Sequence, residues 1–220
     1  MSILPFGDRA ILAEFDTLEA AMDAFRVLDD ARLPGVLELV PAARTVLVSV
    51  DPTRLSLRAA EHWVTEQIAE QGAEARAASG RRDRATPDAA PRATIPVRYD
   101  GPDLAATADL LGVTPAELIS RHSLTEWRCA FIGFAPGFAY LAASAPAGSA
   151  FQVPRRATSR ESVPFGSVGL AGEFTGIYPR SSPGGWQIIG TTDAVLWDTD
   201  REQPSLIVPG TVVRFEVVES

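Results

Sequence analysis

What this chain has little of narrows its chemistry. Its 220 residues hold one cysteine, Cys129, and two histidines, His62 and His122. A single thiol excludes an internal disulfide, and two scattered imidazoles give no ligand spacing, so no metal site is expected. From Ala130 to Val153 nothing is ionisable except the Tyr140 phenol. Such a stretch invites a membrane reading. However, Gly133, Pro136, Gly137, Pro146 and Gly148 would break a spanning helix repeatedly, and lipid offers no water to the freed N–H and C=O groups. The stretch is expected to fold tightly inside a domain that engages no membrane.

Basic charge is also in deficit. A net charge of −8 and a pI near 4.8 exclude a general nucleic-acid surface, which needs clustered cations to displace counterions. Asp8, Glu14 and Asp16 stand where a signal peptide would carry its apolar core, so a cytoplasmic protein is expected. Large apolar residues are missing from Gln71 to Arg92, a run that cannot bury enough surface to offset the entropy of ordering. Residues 79–92 are therefore read as a flexible linker between a domain at 1–78 and another at 93–220.

What is present gives each domain a type. "RAILAEF" reads as a strand, and Leu18, Ala21, Met22, Phe25 and Leu28 form a helical stripe capped by Thr17 and ended by Pro34-Gly35. "VLELV" and "TVLVSV" read as strands, followed by a helix from about Thr53 to Glu70. This β-α-β-β-α order predicts a ferredoxin-like α/β sandwich. After the linker come a strand, a helical pair at Asp103–Leu111 and Thr114–His122, and then short apolar strands punctuated by Gly and Pro, the pattern of a β-barrel. The fold class is α+β.

Within the second domain four motifs follow one another: "GFAPGFAYL", "VPRRATSR", "GSVGLAGEFTGIYP" and "SPGGWQIIG". This series resembles the family of the 5-oxoprolinase B component, the group also labelled allophanate hydrolase subunit 1 or the KipI family. The resemblance implies a cyclophilin-like barrel and a protein that works with a larger C-type partner and an A-type partner. Such assemblies open the lactam 5-oxoproline to glutamate with ATP and Mg²⁺. Glu173-Phe174 stands where the family often has Asn-Gln before "TGIYP".

A lactam is a resonance-stabilised amide, so its carbonyl oxygen must be activated before water attacks, and anionic charge must be neutralised. Glycine turns and arginines are the residue types that do this. The candidates are His122, Arg155 and Tyr178 as catalytic residues, and Thr175, Gln187, Phe134 and Phe138 as substrate-binding residues. Gly184 and Gly185 are the phosphate-side turn. The chain has no G-x-x-x-x-G-K-[ST] loop, so ATP is expected at a site shared with a partner. His122 can instead serve the dipole of the helix it ends, and Cys129 is read as a small buried apolar residue. Two other readings stay open. One is an inhibitor of a sensor histidine kinase. The other is a urea or allophanate pathway component, whose biotin would have to arrive on another chain because no A-M-K-M motif is present.

Overall fold

The computed structural model of the chain describes residues 1–77, 91–144 and 151–219, with the backbone alone over 72–77. The chain divides into two compact units, Met1–Pro87 and Asp88–Ser220. The predicted linker lies largely outside the described residues.

The first unit is a four-stranded antiparallel sheet with two helices. Its elements are β1 (Ser2–Phe6), β2 (Ala10–Glu14), α1 (Leu18–Asp30), β3 (Val36–Pro41), β4 (Thr45–Val50) and α2 (Leu57–Ala77), and the strand order is β1-β2-β4-β3. Val46, Val48 and Val50 alternate inward, as a half-buried strand requires. The Thr17 hydroxyl accepts from the Ala20 N–H at 3.1 Å and caps α1. The core face of α1 is Ala21, Met22, Ala24 and Leu28, turned slightly from the predicted stripe, with Phe25 half-buried. Sequence patterning misses β1 because "SILPF" carries a proline and is exposed almost throughout; as an edge strand it needs no buried face.

The second unit is built on a seven-stranded sheet that curls until its edges meet. Its elements are β5 (Arg92–Val97), α3 (Leu104–Leu110), α4 (Pro115–Leu124), β6 (Trp127–Ile132), β7 (Ala139–Ala143), β8 (Arg160–Val163), β9 (Ser167–Ala171), β10 (Phe174–Ile177), β11 (Ser182–Gly184), β12 (Gln187–Thr191) and β13 (Val212–Val217). The order is β12-β9-β10-β7-β6-β13-β5, with β8 and β11 forming a separate ribbon. The outer strands meet where Arg98 and Thr191 exchange backbone hydrogen bonds of 2.9 and 2.8 Å, so the sheet is a nearly closed barrel. Its interior is apolar, with Ile95, Trp127, Leu141, Leu170, Ile189 and Phe215 among the buried side chains.

The uncharged stretch forms β6, a turn and β7. Gly137 has φ +80°, and a Cβ there would lie 2.9 Å from the Cβ of Trp197. Gly137→Val should therefore cost about 2 kcal/mol or more from the left-handed backbone and the collision together, visible as a lower thermal midpoint. An unchanged midpoint would mean that this turn is not what locks β6 to β7. No helix among the described residues is long and apolar enough to cross a membrane.

Candidate active site

The extended strip from Val153 to Arg160 organises the candidate residues. Arg155 is exposed and makes no ion pair among the described residues, whereas Arg156, the next residue, turns to Asp103. The backbone N–H of Arg156 donates to the Gly185 carbonyl at 2.8 Å, tying the strip to the glycine turn.

Asp103 is the residue that sequence reasoning misses. It precedes α3, where the residue pattern alone reads as a helix start, yet its carboxylate caps no helix N–H. It is 4 % exposed and accepts four hydrogen bonds. Arg156 Nη1 and Arg160 Nη2 bind Oδ1 at 2.8 Å each, and Arg160 Nη1 at 2.9 Å and the Ile188 N–H at 2.7 Å bind Oδ2. Burial opposes ionisation. The Arg160 and Ile188 hydrogen bonds and the two guanidinium charges outweigh it and hold the carboxyl below its ordinary range. Arg160 is bidentate, the strongest geometry for this pair.

His122 sits inside the barrel with no exposed surface. Its Nε2 lies 2.8 Å from the Thr175 hydroxyl and its Nδ1 2.7 Å from the Tyr99 hydroxyl. The ring stacks on Phe215 at 4.4 Å between centroids. Thr175 donates its one hydroxyl proton to the Gly169 carbonyl at 3.1 Å. It must therefore accept from His122 Nε2–H, leaving Nδ1 to accept from Tyr99. Both ring nitrogens of a neutral imidazole are thus satisfied, and burial pushes the pKa down to about 3. The ring points into the core and not along the helix end, so it neither caps α4 nor meets solvent. Thr175 is equally interior, its hydroxyl fully used.

A stability test follows from the lowered pKa. Unfolded histidine titrates near 6.5 and the folded residue near 3, so the unfolded state binds more protons in that window and stability falls as pH drops through it. Between pH 6.5 and 5 the loss should reach about 2 kcal/mol from this residue. Denaturant unfolding of the wild type and of His122→Gln at the two pH values measures it. Equal pH slopes in the two proteins would contradict the buried neutral ring.

The remaining candidates form an aromatic wall. Phe134, 60 % exposed at φ +70°, meets Phe138 and Tyr178 edge-on at 5.3 and 6.3 Å between centroids. Phe138 and Tyr178 are buried, and Tyr140 and Trp186 continue the cluster. Burial pushes the Tyr178 phenol up, against the pull of the Trp186 N–H and the Arg155 charge. The space a side chain on Gly184 would need is taken by the Tyr178 ring, and that beside Gly185 by the Ser159 hydroxyl. These glycines make room for the chain's own side chains. The chain has no lysine either, so apart from its two histidines every basic side chain is a guanidinium. Cys129 is buried, which pushes its thiol up to about 12, away from reactivity.

The structure thus groups Phe134, Phe138, Tyr178 and Gly184, with the Arg155 charge acting on the Tyr178 phenol and Gly185 against Ser159, and it buries His122 and Thr175 completely. Gln187 borders the strip. Its Nε2 donates to the Pro154 carbonyl at 3.2 Å, and it lines an open surface groove with Arg156, Thr158 and Leu110.

Comparison with known proteins matches these features to a family. Residues 1–207 match the carboxyltransferase domain, subdomain C and D. A protein of Escherichia coli O157:H7 named as the B component of 5-oxoprolinase is 36 % identical over 220 residues, covering 95 % of this chain and 92 % of its own. The crystal structure of TTHA0988 superposes with a TM-score of 0.70 at 33 % identity, over 96 % of this chain and 40 % of that one. The Kluyveromyces lactis urea carboxylase superposes at 0.73 over 99 % of this chain and 22 % of its own, and at 17 % identity the likeness is one of fold. The chain belongs to the carboxyltransferase subdomain C and D family and, within it, to the family of the 5-oxoprolinase B component.

Proposed function

We propose that this chain is the B component of an ATP-dependent 5-oxoprolinase that opens 5-oxo-L-proline to L-glutamate in the cytoplasm and is inactive alone. The observation that carries the reading is the 36 % identity to a 5-oxoprolinase B component over nearly the whole of both chains. In this reading the N-terminal unit is a ferredoxin-like sandwich whose fourth strand comes from the chain's start, and the second unit is a cyclophilin-like barrel. The partners are the C-type and A-type components of the same enzyme.

ATP and its magnesium ion, which would supply the activating phosphoryl group, bind on a partner or at a shared site, because the chain carries no G-x-x-x-x-G-K-[ST] loop. What this chain brings is fixed positive charge and a dry wall. Arg155, exposed and unpaired among the described residues, faces the anionic group at the shared site. Phe134 and the buried face of Phe138 and Tyr178 exclude water beside it. His122 acts as a positioning residue, holding Thr175 and Tyr99 in one hydrogen-bonded line through the barrel; a fully buried neutral ring has no proton path to substrate. Affinity-tagged chain produced beside its partners should retain both at fixed stoichiometry by mass measurement. Recovery of the chain alone would remove the assembly from the reading.

A further inference from the structure

Arg156 is held in an unusual way. Its Nη1 donates to the Oδ1 of Asp103, while its Nε is buried with no hydrogen-bond partner and Nη2 has none among the described residues. Nε is enclosed by protein, so Nη2 is the donor that a group in the adjoining groove can reach. A guanidinium with one nitrogen unpaired among the described residues keeps charge and hydrogen-bonding capacity for an anion. Arg156, with its side chain 35 % exposed, lines the groove between α3 and the Ala157-Thr158 strip. Asp103 carries one negative charge against two guanidinium groups, so the cluster has a net charge of +1 at this wall.

The other wall groups have matching chemistry. Gln187 gives its Nε2 to Pro154, so its Oε1 makes no hydrogen bond among the described residues and is free to accept. Thr158 is exposed at the groove, and its hydroxyl can donate. Leu110 and Ala106 of α3 supply apolar surface, and Asp109 is the single acid among the lining residues.

We propose that this groove binds a small carboxylate that also carries an amide N–H. Its carboxylate docks on the Nη2 of Arg156 and its N–H is received by Gln187 Oε1. Resting on the function proposed above, the ligand is 5-oxoproline, and the groove is its loading site on this chain. Arg156 and Gln187 are binding residues here, and Asp103 and Arg160 position Arg156.

Two readouts test this. In the assembled enzyme, Arg156→Gln should raise KM for 5-oxoproline about 10- to 100-fold, the worth of hydrogen bonds to a charged group, with kcat within about threefold. Ala106→Trp fills the groove without touching the ion network and should raise KM similarly at an unchanged thermal midpoint, which covers the case in which Arg156→Gln fails to fold. Asp109→Asn removes the opposing charge and should lower KM about twofold. Separately, titration of the wild-type chain with 5-oxoproline should shift the NMR amide signals of Ala157, Thr158 and Gln187, whereas 2-pyrrolidinone, which lacks the carboxylate, should leave them in place. KM within twofold of wild type in Ala106→Trp, or unmoved groove signals, overturns the inference. A silent wild-type complex with groove signals that do shift overturns the proposed 5-oxoprolinase function and leaves the carboxylate site standing.

Discussion

Arg155→Met should lower turnover of the assembled complex about 10³-fold while leaving melting temperature and partner binding near wild type. The side chain is exposed and ion-pairs with none of the described residues, so its removal costs the fold little. Methionine keeps much of the apolar stem, and a solvated arginine tolerates such a change within about 0.5 kcal/mol. Its charge is another matter, because stabilising anionic charge at a transferring group is worth about 10³-fold or more. The neighbouring phenols of Tyr140 and Tyr178 already feel that charge, which opposes the upward push of their burial. Equal turnover in the variant would take Arg155 out of the site and turn attention to Arg180.

Asp103→Ala should have the opposite signature, a large loss of stability. The change strands two guanidinium groups and the Ile188 N–H around a buried position, and breaking a buried ion pair from one side costs about 3–5 kcal/mol. Asp103→Asn should cost less than alanine but still more than a surface change, since the amide oxygen can keep part of the Arg160 fork. The wild-type carboxyl is held below its ordinary range, so its contribution is present at pH above about 4 and is lost as pH falls through the folded value. Denaturant unfolding at neutral pH measures the loss. A change under about 1 kcal/mol would show that the cluster is solvated and carries little of the second unit's stability.

The two halves of the chain are not equally legible. Strict alternation in Val46, Val48 and Val50 and the caps Thr17 and Thr114 sit where local physics puts them, because a period-2 face and a side-chain cap are written in adjacent residues. The edge strand Ser2–Phe6 leaves no such pattern, since exposure on both faces removes the alternation. The second helix runs on to Ala77, past its apolar stripe, through polar residues that are helix formers without a buried face. In the barrel, the turn at Pro136-Gly137 is readable from its residue types. The Asp103–Arg156–Arg160 cluster is not, because its acid and its bases lie 53 and 57 residues apart in the chain, and only strand pairing brings them together. The arginine-rich "VPRRATSR" does signal that a counter-charge is needed, but it cannot say which of the chain's acids supplies it. His122 is the sharpest case. A histidine at a helix end looks the same in sequence whether its ring faces solvent or the core, and here the aromatic cage of Trp127, Phe151 and Phe215 decides for the core.

If this chain completes a lactam-opening enzyme and does not merely accompany it, activity must depend on its amount. The most direct test is to titrate the chain into fixed amounts of its C-type and A-type partners with 5-oxoproline, ATP and Mg²⁺, and to follow release of glutamate and phosphate. The rate should be at background without the chain, rise in proportion to it, and level off at a fixed ratio of chain to partners, with both products formed together. Glutamate release by the partners alone at the full rate, or none at any amount of added chain, would contradict it.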